Sequence, residues 1–240
     1  MVLTVDLKEL DLVDPNDHWY YQAKLHAIAD DVSREGFNGG YILDVGAGSG
    51  FFSTSLRSKF PGSRVLCVDP NYEGGQIRAS QEIEFSRAAT QLQIAEASLL
   101  LFIDVLEHVS DDQTLLTEYV RNASPGALVV ISVPSFMSLW SGHDVFLEHF
   151  RRYRRHEALT LAKSAGLEAQ RSRYLFGTTF LPLWILRRKQ ANSLPASQMK
   201  AVSAPLNKVL SALFKLEHTI RWNPLMGSTF LLTAKVPPAA

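Results

Sequence analysis

Residues 41–50 read Tyr41-Ile-Leu-Asp-Val-Gly-Ala-Gly-Ser-Gly50, a short apolar run that stops on glycines alternating with small residues. A run of this length closed by glycine suits a strand buried on both faces. The apolar positions after Gly50 (Phe51, Phe52 and Leu56) then take helical spacing up to Pro61. The stretch therefore predicts strand, glycine turn and helix. Glycine lets a ligand approach the backbone without meeting a Cβ, and the helix N-terminus offers free N–H groups, so a nucleotide-like ligand is the natural occupant. A dinucleotide fingerprint needs a third glycine where this chain has Phe51; the pattern is instead Asp-x-Gly-x-Gly-x-Gly over residues 44–50. Asp69 follows the next apolar run, Val65 to Val68, where a strand-end carboxylate can accept two ribose hydroxyl protons.

The alternation continues outward from this unit. Upstream, Tyr21, Leu25, Ile28 and Val32 mark a leading helix over 17–32. Downstream, strands are expected at 99–103, 127–133, 167–174 and 229–236, with helices from Ser110 or Asp111 and over 156–165. Apolar strands alternating with helices predict an α/β fold with a doubly wound, mostly parallel sheet. Helical patterns at 180–188 and 206–220 flank an Ala/Ser/Pro stretch at 191–205, which predicts a helical insertion over 178–224 rather than a loop. Within 71–97, Ile83, Phe85 and Leu92 are the expected core positions.

Composition bounds the function. With 46% hydrophobic and 20% charged residues the 240-residue chain can bury a full core, which excludes disorder. The 24 basic residues balance 24 acidic ones, so no nucleic-acid partner is expected. A lone cysteine, Cys67, excludes a disulfide scaffold and fits a reducing compartment. Met1 to Asp14 lacks the basic and apolar regions of a secretion signal, and the apolar stretch Tyr174 to Leu186 is interrupted by Gly177 and Pro182, so a cytoplasmic location is expected. One domain is expected over 1–240, with a core at 18–177 and a closing strand and tail at 225–240.

Three segments together, Ile42 to Gly50, Val68-Asp-Pro-Asn71 and Asp104-Val-Leu-Glu-His-Val109, resemble the class I S-adenosylmethionine-dependent methyltransferases over about residues 19–167. The resemblance implies a seven-stranded Rossmann-like sheet and S-adenosylmethionine as cofactor. It further implies that Asp44, Gly46, Ala47, Gly48 and Gly50 lie along the methionine moiety. Asp69 and Pro70 would then stand at the ribose, with Asp104 and Val105 at the methyl group. His18-Trp-Tyr-Tyr21 is similar to the leading helix of a subset whose aromatic residues cover the cofactor, here Trp19 and Tyr20. Many members have arginine for the cofactor carboxylate where this chain has Lys24. Ser86 to Ala89 offers no carboxylate for adenine, which leaves backbone groups or Arg87.

Asp104, Glu107 and His108 are spaced i, i+3, i+4, which puts them on one face if the chain is helical there. His108 reads equally as a general base and as a capping histidine. A similar acidic-x-x-Glu-His element in quinone-pathway O-methyltransferases is thought to engage a divalent metal; a polar helix start is the plainer reading, and no metal is expected. The loop after residue 133 carries His143-Asp144 and His149-Phe-Arg-Arg-Tyr153, similar to the same subset, and predicts His143 or His149 as general base. Arg151 and Arg152 read either as partners of an anionic substrate group or as a solvated basic turn. The apolar run Phe180 to Leu186 with Arg187-Arg188-Lys189 reads either as ordinary packing or as a lid, a bilayer-surface contact or an oligomer interface.

The expected activity is methyl transfer to a hydroxyl of a small or amphiphilic acceptor, apolar or lipid-linked. The rivals are a nicotinamide-dependent oxidoreductase, which Phe51 counts against, and a non-catalytic cofactor-binding module.

Overall fold

The computed structural model describes residues 13–72, 76–78, 82–189, 202–219 and 225–238. The leading helix α1 (Trp19–Arg34) runs two residues later than its apolar spacing predicts. It is followed by β1 (Tyr41–Val45), α2 (Phe51–Lys59), β2 (Arg64–Val68), β3 (Gln76–Arg78) and β4 (Ile83–Ser86). The middle of the chain forms α3 (Gln91–Glu96), β5 (Leu99–Ile103), α4 (Asp112–Asn122) and β6 (Leu128–Pro134). Then come α5 (Gly142–Phe146), α6 (Arg155–Ser164), β7 (Glu168–Leu175), α7 (Phe180–Lys189), α8 (Ala204–Thr219) and β8 (Thr229–Lys235).

The strands form one sheet in the order β3-β4-β2-β1-β5-β6-β8-β7. Strands β4, β2, β1, β5 and β6 run parallel, whereas β8 is antiparallel to both β6 and β7. Seven strands give the expected doubly wound, Rossmann-like sheet. The eighth, β3, is a three-residue antiparallel addition at the β4 edge, within the segment where the sequence shows no readable pattern.

Burial on both faces explains why the strands read as unbroken apolar runs. Along β1, Tyr41, Leu43 and Val45 point into one core, shared with Leu116 and Val120 of α4 and Leu161 of α6. Ile42 points into the other, shared with Leu25, Ile28 and Val32 of α1 and Leu56 of α2. Local signals fix the ends: Asp111 accepts the Thr114 N–H at the start of α4, and Thr90 and Gln93 form a capping box on α3. Leu92 corrects an expectation. It is 69% exposed, because the six-residue α3 turns Ile94 toward the core instead.

From β1 the chain winds outward through β2 to β4, then returns to place β5 on the other side of β1. Ligands bind beside such a reversal, at the carboxyl ends of the strands. Gly46 and Asp104 end β1 and β5 there. The insertion comprises α7 and α8; most of the Ala/Ser/Pro stretch at 191–205 lies outside the described residues, as do residues 1–12. No helix among the described residues is long and apolar enough to cross a membrane.

Candidate active site

A cavity of about 340 Å³ opens at this edge. Asp44, Gly46 and Ala47 enter it from β1, Ile103 and Asp104 from β5, and Trp19, Tyr20 and Tyr21 from α1. Gly46 has φ +68, and a Cβ there would stand 2.6 Å from Val105 Cγ2, so the fold's own packing already demands glycine. Gly50, at φ +74, is crowded by Cys67 and Phe85 in the same way. Trp19 stacks on Phe214 of α8, and Tyr20 on Phe176, each with ring centroids 4.9 Å apart.

The second half of the expected cofactor set lies apart from the cavity wall. Asp69 is buried at the end of β2, where Oδ2 accepts the Gly48 N–H at 3.2 Å and Oδ1 accepts the Asn71 N–H at 2.9 Å. Tyr72 closes over it, donating its hydroxyl to the Gly48 carbonyl at 2.5 Å, and Arg87 Nε in turn donates to the Tyr72 carbonyl. Gly48, Gly50, Asp69, Pro70 and Val105 are therefore beside the turn and not on the cavity surface; Pro70 is exposed and Val105 packs on Gly46.

Asp104 sits at φ +54, a conformation strained for a residue with a side chain. Its own partners hold it: Oδ1 accepts the Ser132 hydroxyl at 3.1 Å, and Oδ2 takes a short charged bond from Lys24. Lys24 is fully buried, its ammonium 4.6 Å from the Tyr20 ring centroid. Burial alone would lower its pKa; Asp104 and Tyr20 outweigh that and raise it, so the ammonium stays charged.

Residues 106–108 form a single 3₁₀ turn, which splits the expected triad. Asp104 faces Lys24, whereas donor atoms of Glu107 and His108 gather with one of His149, all within 4.8 Å of one another. Burial, reinforced by Asp104, raises the Glu107 carboxyl well above the usual carboxylate range.

Asp144 organises the neighbouring wall from behind. Fully buried, it accepts His149 Nδ1 at 2.9 Å, Arg152 Nε at 2.6 Å and Arg187 Nη1 at 3.3 Å. Burial would raise its pKa, but these donors outweigh it and keep the carboxylate ionised. His143 and His149 line the cavity, and His108 does not; the His108 and His149 rings meet edge to face at 4.6 Å. Burial, with Arg187 adding to it, lowers the His143 pKa to about 3, which makes it a poor proton acceptor at neutral pH. The two arginines part company: Arg151 lies at the surface on the Ser110 carbonyl and Asp112, while Arg152 is buried in the cavity wall. Tyr153 is a packing anchor, donating its hydroxyl to Asp112 at 2.6 Å.

A family model described as a methyltransferase domain matches residues 17–172. The chain belongs to this methyltransferase family. An uncharacterized methyltransferase of Mycobacterium avium is 32% identical over 135 residues, covering 52% of this chain and 53% of its own. The chain thus spans about half the length of the curated relatives it matches. Among solved structures, a 1,6-didemethyltoxoflavin-N1-methyltransferase of Burkholderia thailandensis, bound to its named substrate and S-adenosylhomocysteine, shares the fold with a TM-score of 0.54. Its identity is 14%, over 91% of this chain and 80% of that one. The [4+2]-cyclase SpnF is equally similar, with a TM-score of 0.54 and 16% identity over 95% and 85%. The fold by itself therefore does not dictate methyl transfer.

In this chain several site residues take roles that the motifs do not show. Lys24 shows itself as a lysine on the apolar face of an amphipathic helix, one turn before Ile28. Arg187 reads as the first of a surface triplet, yet it shares the inward face of α7 with Leu183 and is buried; Arg188 instead stacks outward on Trp184 at 4.1 Å. Asp144 is also the capping-box partner of Ser141, and no sequence signal joins Arg187 of α7 to the His149 and Arg152 that follow Asp144 in the next loop.

Proposed function

We propose that the protein transfers the methyl group of S-adenosylmethionine to a hydroxyl of a small acceptor held in the cavity, with His149 as general base. The observation that carries this reading is the hydrogen bond between Asp144 and His149, whose ring belongs to the cavity lining. S-adenosylmethionine supplies, when bound, a methyl group on a sulfonium sulfur that an in-line nucleophile displaces. Gly46 and Ala47 leave backbone open to it, Trp19 and Tyr20 form an aromatic cover, and Asp104, fixed by Lys24 and Ser132, stands at the methyl end. The Nδ1–H of His149 donates to Asp144, which leaves Nε2 to accept the hydroxyl proton as the oxygen attacks the methyl carbon. Alignment of oxygen, carbon and sulfur by these walls carries much of the rate.

The spacing of Glu107, His108 and His149 favours a second reading, in which a divalent ion takes His149 and activates the acceptor oxygen. The two readings exclude each other, since Nε2 cannot serve both. An apolar or lipid-linked acceptor is supported by Leu183 and Leu210 in the cavity wall and by the exposed Leu181, Ile185 and Leu186 of α7 beside it.

Transfer of a labelled methyl group to a panel of hydroxylated compounds tests the proposal, with and without a chelator. Label on oxygen regardless of chelator is the expected result. Loss restored by a divalent ion would favour the metal reading, and label on nitrogen or carbon alone would remove the need for the base.

A further inference from the structure

We propose that Arg187 and Arg152 form an anion-recognition subsite in the cavity, which takes a carboxylate or phosphate group carried by the methyl acceptor. The inference rests on the methyltransferase reading above and extends it to the acceptor's chemistry.

The charges in this wall do not balance. Arg187 and Arg152 are each more than nine-tenths buried, and both turn to the same carboxylate, Asp144. The other acidic groups facing the cavity make no ion pair with them: Asp104 is held by Lys24, Glu107 feels the charge of Arg152 without bonding to either arginine and is itself raised by burial, and Asp44 belongs to the β1 end. Two buried guanidinium groups thus share one counter-charge. Burial together with Arg152 lowers the Arg187 pKa to about 10, the direction expected of a cation short of a partner.

The hydrogen bonds are incomplete in a specific way. Arg187 uses only Nη1, which donates to the Leu139 carbonyl and to Asp144; its Nε, though buried, has no partner among the described residues. Arg152 spends Nε on Asp144 and Nη1 on the Ser135 carbonyl. The Nε and Nη2 edge of Arg187 is the edge that pairs bidentately with a carboxylate or phosphate. A buried donor left unmade costs free energy, and an uncompensated buried charge costs more, so an anion arriving here would meet both demands. Leu147, Leu183 and Leu210 line the same cavity, which calls for an anionic group on a small apolar body.

The test uses the full chain saturated with S-adenosylhomocysteine and titrated calorimetrically with benzoate, phenyl phosphate and neutral benzamide. At least one anion is expected to bind 10-fold or more tightly than benzamide, and Arg187→Gln to remove that preference while leaving S-adenosylhomocysteine and benzamide affinities unchanged. Should that variant fail to fold, Arg187→Lys keeps the charge, loses the fork, and is expected to lose most of the preference. Equal binding of anions and benzamide by the unmutated chain would overturn the inference, as would a loss of S-adenosylhomocysteine affinity in Arg187→Gln larger than the loss for the anions. Binding of S-adenosylhomocysteine is measured first. Its failure would overturn the cofactor reading alone, and the anion preference is then read on the unliganded chain.

Discussion

Asp144, Asp69 and His149 carry the predictions at the scale of single residues. Asp144→Ala leaves two buried guanidinium groups without their counter-charge and is expected to cost about 3 to 5 kcal/mol of stability, measured by denaturant melts. Asp69→Ala should weaken S-adenosylmethionine binding by about 1.5 to 3 kcal/mol, the scale of a charged hydrogen bond. Because Asp69 also ties Gly48 to Asn71, an unchanged dissociation constant would assign it to holding the turn rather than the ribose. In single turnovers on an identified hydroxyl acceptor, His149→Ala should fall roughly 100- to 10,000-fold with cofactor affinity intact. His143→Ala should fall far less, since burial holds its imidazole pKa down at about 3. Equal losses in the two variants would remove the distinction drawn from Asp144.

Helix α7 is the element whose two faces do different work. Phe180 packs against Phe136 with centroids 5.3 Å apart and is buried, so Phe180→Ala should cost about 3 to 5 kcal/mol. Trp184 is half-buried with its ring under Arg188, so Trp184→Ser should cost clearly less. Sedimentation with anionic liposomes then tests the outward row of Leu181, Ile185 and Leu186. If that row meets a bilayer, replacing it with serine lowers liposome binding without a matching loss of stability; a pure stability loss would return α7 to ordinary packing. Helix α8 is held at both ends: Asn207 accepts the Trp19 N–H at 2.9 Å, and Glu217 accepts the Gly177 N–H at 3.1 Å just before α7.

For the molecule as a whole, stability should fall on acidification below about pH 4, and the signs follow from the direction of each shift. His143, lowered to about 3, is neutral when folded but protonates near pH 6.5 when unfolded, so stability present at neutral pH is lost as pH falls from about 6.5 to about 3. The slope is at most about 1.4 kcal/mol per pH unit. Asp31, pushed up to about 6 by burial against the pull of Arg173, and Glu107, raised well above the carboxylate range by burial and Asp104, oppose this above about pH 4. Below about pH 4 that opposition ends, and Asp144, depressed in the fold, adds its own loss, so the decline is expected to be steepest there. Denaturant melts across this range check it, and His143→Gln should flatten the profile by about one proton. Calorimetry on the same chain should show S-adenosylmethionine and its demethylated product binding at about micromolar affinity and NAD(H) not at all; the reverse would restore the oxidoreductase reading.

The strands, the glycine turn and most helices are legible in the sequence because each is decided locally. Leu99 to Ile103 has one period and one length that fit a strand buried on both faces, and Gly46, Gly48 and Gly50 all take positive φ, which glycine adopts without strain. The short β3 and the exposure of Leu92 escape that logic, since an edge strand and a helix of six residues contain too few positions for a period to declare itself. The acceptor wall escapes it for a different reason. Whether Arg151 or Arg152 turns inward, and whether Arg187 is a surface charge or a buried one, depends on the position of Asp144, whose ionic partners His149, Arg152 and Arg187 lie 5, 8 and 43 residues away along the chain. Burial of a charge is affordable only where a counter-charge from another element arrives, and that meeting is made by tertiary packing alone.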